Sequence, residues 1–481
     1  MKNLVLKNGT IVNEGEVFIG SVLVSGERIS RIVRRSAFPT GEDYLSCVDS
    51  LSENAEVVDV AGLHIFPGVI DSHVHFREPG DGLKGTIESE SRAAVLGGVT
   101  SFMDMPNNSP SAVTRQALED KFSKAEKTSF ANYSFYLGAS NANLEEIRGI
   151  ARQDVCGVKV FMGSSTGSLL VDSGKALEDI FRICPVPIAV HCEDNAIIAA
   201  NLKSATEKFG DQIPPEMHPV IRSREACLIS SEKAIALAQK YNSRLHILHI
   251  TTREEVKMLE NIINPDSWDI NDPHRRAMIT AEACPTYLWF CSQDYKHYGN
   301  LIKCNPAIKD EEDMLALRSA LKDGVLKTVG SDHAPHIFQD KLRPYTHCPS
   351  GIPLGQYIFQ MMLTLAKAGV FTLEEVADRM AHGPANCFSV KDRGFIREGY
   401  YADLTVANLQ RPSPSADNPQ TKCRWSPFAE EGIVFHPEEG KDEIIPSFPC
   451  SVMHTIINGS FAVKDGEFTG IRCGRRLSFN R

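Results

Sequence analysis

Short apolar segments recur along the middle of the chain, and stretches with helical spacing of apolar residues separate them. Eight such segments can be counted, over 64–76, 100–106, 132–139, 157–162, 187–193, 244–251, 278–285 and 326–335. Apolar runs of this length are typical of strands that are buried on both faces, and their alternation with helices indicates a parallel sheet. Eight repeats of strand and helix predict an α/β fold of the (β/α)8 barrel type.

The two ends of the chain show a different pattern. Residues 1–60 and 452–471 consist of short alternating runs that are broken by turn signals such as Asn8-Gly9, Glu14-Gly15 and Asn458-Gly459. Such runs predict antiparallel strands joined by tight turns. Two separate strand-rich ends around a long middle indicate that one small β-sandwich domain is built from both termini.

These patterns suggest a division of the chain into two domains. We expect residues 1–62 and 392–481 to form the composite β-sandwich domain, and residues 63–391 to form the barrel domain. A length of 481 residues suits one large domain and a smaller one. Residues 408–450 are rich in Pro, Glu and Ser, so we expect a surface insertion or an ordered tail there, without an assigned function.

Charge and composition exclude several classes of partner. The chain has 61 acidic and 51 basic residues, which give a net charge of −10 and argue against nucleic acid or an anionic membrane as partner. No apolar run has the length of a membrane span, and the N-terminus lacks the apolar core of a secretory signal. The 13 cysteines include no CxxC pair, so we expect reduced core residues in a cytoplasmic protein.

Two histidines share one face at the end of the first apolar segment. His73 and His75 stand in the sequence Asp-Ser-His-Val-His, and side chains two residues apart along a strand point the same way. The C-terminal ends of barrel strands carry the active sites of barrel enzymes. A single histidine in a strand is usually a satisfied core residue, but two at this spacing form a natural clamp for a divalent metal ion.

The fourth apolar segment contains a lysine, Lys159, in the sequence Gly-Val-Lys-Val-Phe-Met. A bare ammonium is costly in a buried strand. The side chain can extend to the rim of the barrel and reach solvent. Alternatively, the amine has reacted with carbon dioxide, and the resulting carbamate bridges two metal ions through its two oxygens. The sequence leaves both interpretations open, and the surrounding histidines favour the second.

Later segments end in further candidate ligands. His191 ends the fifth segment, and His249 lies near the end of the sixth. His246 is three residues before His249 and therefore faces the opposite side of the strand, so we expect a structural role for it. Asp332 follows the eighth segment and is a candidate metal ligand, a candidate proton carrier, or both, rather than only a helix cap.

The number of candidate ligands decides between one metal ion and two. Four histidines, one aspartate and one modified lysine exceed what a single tetrahedral site requires. A bridged site for two divalent ions uses all of them. Zinc suits this mixture of imidazole and carboxylate, and Mn, Co or Fe would also fit. No glycine-rich phosphate loop follows a predicted strand, so a nucleotide cofactor is not expected.

These residues belong to a longer set of motifs that resembles the cyclic amidohydrolases, a group that includes dihydroorotases, allantoinases and hydantoinases. The similar segments are, in chain order, PGVIDSHVHFREPG, KVFM, HCED, HILHIT, GSDHAPH, HGPANCF and GYYADLTV. They extend over nearly the whole chain. The resemblance implies a metal-dependent hydrolase of cyclic amides.

The resemblance also implies a role for each ligand. One metal ion would be held by His73, His75 and Asp332, the other by His191 and His249, and a carboxylated Lys159 would bridge them. Asp332 would in addition accept the proton of the attacking water and pass it to the departing ring nitrogen, first as general base and then as general acid.

Four further residues resemble the substrate contacts of dihydroorotases. Arg77 follows His75 closely, and its guanidinium would form a bidentate pair with the free carboxylate of the substrate. Asn107 would assist Arg77, Asn305 would contact the pyrimidine ring, and His336 would be a third contact. The implied reaction is the reversible cyclisation of N-carbamoyl-L-aspartate to L-dihydroorotate, a step of pyrimidine synthesis.

Several alternatives stay open. Arg77 can instead form a surface salt bridge with Glu78 or Asp81, which would contribute little. The substrate can be another ring, such as allantoin, hydantoin or dihydrouracil, or the chain can be a non-catalytic scaffold related to this group. The resemblance further suggests a homodimer or homotetramer. Residues 163–168 and 346–353 are candidate lids over the site.

Overall fold

The N-terminal part of the chain consists mainly of strands. The computed structural model describes residues 3–163, 169–263, 278–413, 419–428 and 433–481. Its first strands are β1 (Asn3–Asn13), β2 (Glu16–Ser25), β3 (Arg28–Arg34), β4 (Ala55–Asp59) and β5 (His64–Pro67). A short 3₁₀ helix (Arg35–Ala37) and helix α1 (Gly41–Leu51) lie between β3 and β4.

One of the predicted turns in this part is a bulge. The turn at Glu14-Gly15 is present, because β1 ends at Asn13 and pairs antiparallel with β2 from Glu16 onward. Asn8-Gly9 instead lies inside β1, where the register with β2 shifts and Asn8 takes φ +65°. The bulge divides β1 between two partners: residues 3–7 pair with β4, and residues 10–11 pair with β5.

Helix α1 is an element that the strand pattern of residues 1–60 does not predict. Thr40 caps it by accepting a hydrogen bond from Asp43 N at 3.1 Å, and acidic residues occupy its first turn. The helix buries Tyr44 and Val48 against β1 and β2 residues such as Val5. Local capping and a small apolar face therefore override the surrounding strand signals.

Each of the eight apolar segments of the middle region contains a barrel strand, which confirms the predicted fold class. The barrel strands are β6 (Val69–Val74), β7 (Val99–Asp104), β8 (Asn132–Phe135) with its continuation β9 (Leu137–Gly138), β10 (Val158–Phe161), β11 (Ile188–His191), β12 (Leu245–Ile247), β13 (Ile279–Ala283) and β14 (Thr328–Val329). Neighbours pair in parallel, and their residues are buried throughout. A parallel bridge between Val74 and His333 closes the ring between the last strand and the first.

Helices follow the strands and cover the barrel. Their bounds are α2 (Ile87–Leu96), α3 (Arg115–Thr128), α4 (Leu144–Arg148), α5 (Gly174–Ile183), α6 (Asn195–Phe209), α7 (His218–Ile221), α8 (Arg224–Tyr241), α9 (Arg253–Glu260), α10 (Pro285–Trp289), α11 (Tyr295–Tyr298), α12 (Glu311–Lys322), α13 (Phe338–Lys341), α14 (Ile358–Lys367), α15 (Leu373–Ala377) and α16 (Gly383–Phe388). A π-helical segment (Asp378–His382) joins the last two, and 3₁₀ helices occupy Pro215–Met217, Ser292–Asp294 and Gly299–Ile302. In the part of the chain that the structure describes, no helix is long and apolar enough to cross a bilayer.

The C-terminal part returns to the sheet of the N-terminus. Its strands are β15 (Leu404–Asn408), β16 (Ile433–Glu438), β17 (Lys441–Ile445), β18 (Ser451–Ile457), β19 (Ser460–Lys464) and β20 (Glu467–Phe468). The order β20-β19-β18-β15-β5-β1-β2-β3, with β4 beside β1, places strands from both ends in one nine-stranded sheet. The turn predicted at Asn458-Gly459 joins β18 to β19. The domain boundaries at 62 and 392 stay a prediction.

The described parts of residues 408–450, which are 408–413, 419–428 and 433–450, are packed more closely on the barrel than a surface insertion would be. Strands β16 and β17 form a separate antiparallel hairpin. Phe428, Phe435 and Phe448 are buried around Trp289 of α10, with ring centroids 4.8–5.9 Å away from it. The indole Nε1 of Trp289 also donates to Val434 O at 2.7 Å. This region therefore belongs to the apolar core.

Candidate metal centre and active site

A cavity of about 110 Å³ lies at the C-terminal ends of the barrel strands. Nine of the ten residues predicted for the site line it: His73, His75, Arg77, Asn107, Lys159, His191, His249, Asn305 and Asp332. The other lining residues are Phe161, Ala334, Ser350 and Gly351. The tenth predicted residue, His336, is not part of the lining.

His73, His75 and Asp332 form the first of two ligand clusters. The Nε2 atoms of His73 and His75 lie 3.2 and 3.1 Å from the same carboxylate oxygen, Asp332 Oδ1. Both rings come from one face at the end of β6, with centroids 5.4 Å apart. Asp332 reaches them from the loop after β14 with φ +49°, a conformation that non-glycine residues rarely adopt. Backbone strain of this kind is typical of functional sites.

The second nitrogen of each of these histidines is held from behind. His73 Nδ1 lies 2.7 Å from Glu282 Oε1 on β13, and His75 Nδ1 lies 2.6 Å from Asn107 Oδ1. An acceptor at Nδ1 favours the proton there, which leaves Nε2 able to bind a metal ion on the cavity side. Gly330 makes this packing possible, because a Cβ there would lie 2.2 Å from Glu282 Oε2.

His191 and His249 form the second cluster. His191 Nδ1 and His249 Nε2 are 2.9 Å apart on the cavity wall. His191 Nε2 lies 2.9 Å from Glu193 Oε2, and this carboxylate in turn pairs with Arg222. His249, like Asp332, has a left-handed backbone, with φ +42°. The His249 and His73 ring centroids are 5.4 Å apart, so the two clusters are adjacent.

Lys159 lies in the same cavity and does not reach solvent. Its exposed fraction is 1%, which contradicts the interpretation of a side chain extended to the rim. Its Nζ lies 4.6 Å from the centroid of the Phe161 ring. Burial lowers the pKa of Lys159 to about 8, although Asp332 and Glu282 oppose this shift. A lowered pKa increases the neutral fraction of the amine, which is its nucleophilic form.

Burial and proximity set the charges of the clusters. Burial raises the pKa of Asp332, but His73 and His75 outweigh it and hold that pKa well below its ordinary value. Burial lowers the pKa of His75 to about 4, and it also lowers the pKa values of His191 and His249. For His73, the neighbouring carboxylates outweigh burial and raise the pKa. The site thus combines an ionised carboxylate with three imidazoles, those of His75, His191 and His249, that are held neutral, and it favours positive charge at its centre.

The surface salt bridge considered for Arg77 is not formed. Glu78 pairs with Lys124 at 3.0 Å, and Asp81 pairs with Lys84 at 3.0 Å. Arg77 lines the cavity instead, on a left-handed backbone with φ +67°. The guanidinium is therefore a wall of the cavity rather than part of the outer surface.

His336 supports Arg77 from behind. Its Nε2 lies 3.0 Å from Ser350 O and 3.2 Å from Arg77 Nη2, while Arg77 Nε donates to Pro335 O at 3.2 Å. Burial and the charge of Arg77 hold the pKa of His336 far below its ordinary value, so the ring is neutral. Trp425 Nε1 donates to His336 O at 2.6 Å, so residues 419–428 brace this loop. In this structure His336 contacts Arg77 and lies outside the cavity lining, and its role as a substrate contact stays a prediction.

The loop 346–353 is bound to neighbouring segments by two buried lysines, and its role as a lid stays a prediction. Lys303 is buried and donates to the carbonyl oxygens of Tyr345 and Cys348 at 2.7 and 2.6 Å. Lys341, also buried, donates to the carbonyl oxygens of Lys303, Pro349 and Gly351 at 2.9–3.0 Å. These bonds tie the loop to the segment that carries Asn305. The other lid candidate includes residues 164–168, which lie outside the described residues.

Two carboxylates of the site are not evident from the ligand motifs. Glu282 is the only charged residue in the apolar segment 278–285, and Glu193 follows the candidate ligand His191 by two positions. A carboxylate in a buried strand needs a buried partner, and that signal would have found Glu282. His246 has the expected structural role: its Nδ1 lies 2.8 Å from Thr280 Oγ1, outside the cavity lining.

The donor set fits divalent metal ions. Two imidazole nitrogens and a carboxylate oxygen converge in the first cluster, and two imidazole nitrogens converge in the second. The buried Lys159 lines the same space. Nitrogen and oxygen ligands of this kind are typical of zinc and related ions. The second ring nitrogens of His73 and His191 contact carboxylates, which is also common around such ions.

The model of the amidohydrolase family matches residues 64–459. The chain belongs to the amidohydrolase family. This confirms the expected enzyme class, a metal-dependent hydrolase of amide C–N bonds.

Curated relatives and solved structures point to two branches of the family. The chain is 28% identical to a dihydroorotase of Methanosphaera stadtmanae over 438 residues, which cover 90% of this chain and 94% of that protein. It is 29% identical to a dihydroorotase of Bacillus cereus, with coverage of 85% and 89%. The fold is similar to that of the L-hydantoinase (dihydropyrimidinase) from Arthrobacter aurescens, with a TM-score of 0.83, 22% identity and coverage of 99% and 100%. The dihydropyrimidinase from Brevibacillus agri gives a TM-score of 0.81, 24% identity and coverage of 100% of both chains.

Proposed function

We propose that the chain is a dihydroorotase, which interconverts N-carbamoyl-L-aspartate and L-dihydroorotate plus water. The observation that carries this proposal is the position of Arg77 in the cavity wall, beside the first ligand cluster. L-Dihydroorotate carries a free carboxylate, which hydantoin and dihydrouracil lack. A guanidinium is the side chain best suited to bind that group in a bidentate manner. Similarity to curated dihydroorotases supports the same substrate.

The cavity offers contacts for the rest of the substrate. Asn107 and Asn305 line it and supply amide groups that can pair with the ring carbonyls and ring N–H groups. Ser350 and Gly351 contribute a further stretch of wall that the buried lysines hold in place. A few polar groups fixed around a small cavity provide orientation as well as specificity.

We propose two divalent ions, zinc by ligand type, for the two clusters. His73, His75 and Asp332 would hold one ion, His191 and His249 would hold the other, and Lys159 would bridge them as its carbamate. The ions would supply a water nucleophile at neutral pH and would polarise the amide carbonyl. The burial of Lys159 supports the modification, because burial disfavours the plain ammonium and outweighs the opposing effect of Asp332 and Glu282.

Asp332 is the proposed proton carrier. Its carboxylate is ionised, partly exposed and directed into the cavity, so it can accept a proton from the attacking water. The same oxygen can return that proton to the ring nitrogen as the amide C–N bond breaks. The ring nitrogen leaves as part of the carbamoyl group, and the carbonyl becomes the second carboxylate of N-carbamoyl-L-aspartate. The reverse sequence closes the ring.

A panel of rings tests the substrate. L-Dihydroorotate, allantoin, hydantoin and dihydrouracil are compared with wild-type protein, Arg77→Ala and Arg343→Ala. Arg343 is an exposed arginine paired with Asp340 and serves as the matched control. We expect turnover of L-dihydroorotate, a loss of about 100-fold in kcat/KM for Arg77→Ala, and no change for the control.

Other outcomes separate the alternatives. Preferred turnover of a ring without a carboxylate, unaffected by Arg77→Ala, would replace the substrate by that of a hydantoinase or allantoinase. Protein with neither metal nor turnover would favour a non-catalytic scaffold. The homo-oligomeric state and the cytoplasmic location expected from the sequence stay predictions.

A further inference from the structure

A buried ion pair connects helix α3 with the end of strand β7. Lys121 Nζ and Asp104 Oδ2 are 2.6 Å apart, and the two side chains are 1% and 0% exposed. Removing both charges from water is costly, and such a pair is weak evidence for stability. The reason for its presence must therefore be sought in what the two groups hold.

The ammonium of Lys121 donates all three of its hydrogen bonds to the end of β7 and the loop that follows it. Besides Asp104, it donates to Met105 O at 3.1 Å and to Asn108 Oδ1 at 2.7 Å. Asp104 and Met105 precede Asn107 in the chain, and Asn108 follows it. The side-chain amide of Asn107, which contacts His75 Nδ1, therefore lies in a segment that Lys121 binds on both sides.

Two of these residues, Asp104 and Asn108, also bind the loop after β6. Asp104 Oδ1 accepts a hydrogen bond from Phe76 N at 2.9 Å, and Asn108 Nδ2 donates to Glu78 O at 3.1 Å. Phe76 and Glu78 are the two neighbours of Arg77. Arg77 has a left-handed backbone, which is unfavourable for a non-glycine residue and persists only when its surroundings impose it.

We infer that Lys121 is a positioning residue for substrate recognition. It binds Asp104 and Asn108, which lie on either side of Asn107 in the chain and in turn bind the two neighbours of Arg77. This inference rests on the proposed function of Arg77 as the carboxylate-binding group. Lys121 itself does not touch the substrate: it is absent from the residues that line the cavity. Its role is to hold two loops from different strands in one register.

The test uses Lys121→Met, which keeps the length of the side chain and removes its charge. The matched control is Arg393→Met, which breaks another buried ion pair, Arg393–Asp403, away from the cavity lining. If the unpaired Asp104 carboxylate prevents folding of Lys121→Met, the double variant Asp104→Asn/Lys121→Met removes both charges. Each variant is studied as the metal-loaded full chain.

Two readouts are measured on each variant. The first is the NMR signal of the Arg77 Nε–H group, assigned by its loss in Arg77→Ala, which reports the position of Arg77 without any substrate. The second is the separation of KM and kcat for L-dihydroorotate. We expect Lys121→Met to shift or broaden the Arg77 signal and to raise KM by about ten-fold, with kcat changed by less than about three-fold.

The control decides between positioning and general stability. Arg393→Met should leave the Arg77 signal and KM unchanged even if it lowers the unfolding temperature. A folded Lys121 variant with a wild-type Arg77 signal and a wild-type KM would overturn the inference. If the wild-type protein does not turn over L-dihydroorotate, the proposed function fails, and the Arg77 signal alone then decides whether Lys121 positions Arg77.

Discussion

Two groups of histidine and carboxylate side chains in the described part of the chain serve different purposes. The first is the pair of ligand clusters around the cavity. The second consists of His436 on β16, Asp294 and Asp442, with Cys291 beside them, and we call it the hairpin clamp. Both contain groups that can hold a metal ion.

The difference lies in what the nitrogens of each ring face. In the hairpin clamp, His436 Nε2 lies 2.9 Å from Asp294 Oδ2, and Nδ1 lies 2.7 Å from Asp442 Oδ1. Burial lowers the pKa of His436, but its bonds to Asp294 outweigh this and raise the pKa to about 11. The ring is therefore a protonated bridge that fastens the β16–β17 hairpin to the barrel.

Around the cavity, three histidine rings each contact a supporting side chain with one nitrogen, and the other nitrogen faces the cavity. The supports are Glu282 for His73, Asn107 for His75 and Glu193 for His191. The comparison teaches that a buried His–carboxylate contact is not by itself a ligand signature. A metal site needs a free nitrogen on the cavity side as well as an occupied one behind it.

The largest expected effect is a difference in turnover between variants of Asp332 at the cavity and Asp294 in the hairpin clamp. Asp332→Asn should lower kcat/KM by about 1,000-fold, because it removes the proposed proton carrier and a metal ligand. Asp294→Asn is the matched change in the hairpin clamp and should leave turnover per folded molecule within about two-fold of wild type. Steady-state kinetics on both variants provide the check. Equal losses in the two variants would remove the distinction between the clusters.

The next effect is on stability and affects the hairpin clamp alone. His436→Asn should lower the free energy of unfolding by about 3 kcal/mol, because it leaves Asp294 buried without its cationic partner. Urea unfolding measures this loss, and the metal content of the folded protein should not change. A loss of bound metal in this variant would instead identify the hairpin clamp as a metal site.

A smaller effect is expected at the support of His73. Glu282→Gln keeps the shape of the side chain but weakens the bond to His73 Nδ1, so metal affinity should fall by about 10- to 100-fold. Competition with a chelator measures the affinity. Unchanged affinity would show that the orientation of His73 does not depend on Glu282.

The smallest effect is the pH dependence of the hairpin clamp. Because the folded pKa of His436 is raised from 6.5 to about 11, its stabilising contribution is complete below about pH 6.5 and declines as pH rises toward 11. The difference in unfolding free energy between wild type and His436→Asn should therefore be smaller at pH 10 than at pH 7. A difference that stays constant or grows would contradict the protonated bridge.

Much of this architecture is readable from the sequence, and the exceptions have physical causes. Barrel strands are fully buried, so their apolar runs and polar C-terminal residues stand out, as for His73 and His191. Asn8-Gly9 is ambiguous because a turn and a bulge both require a left-handed backbone. The contact of His336 with Arg77 is not readable either, because its loop is braced by Trp425, which is 89 residues away in the chain.

The contacts that hold the site are also long-range. Glu282 and His73 are 209 residues apart, and no local pattern predicts their meeting. Lys121 resembles an ordinary helical lysine until the loops around Arg77 are in place. The sequence therefore predicts the groups that face the cavity better than the groups that position them.

The most direct test of this account is the hydrolysis of L-dihydroorotate by purified protein, with the metal content measured on the same sample. The account predicts turnover by protein that holds about two divalent ions per chain, and loss of turnover when a chelator removes them. Protein with two ions and no turnover of this ring would contradict the proposed substrate, and undiminished turnover without metal would contradict the proposed centre.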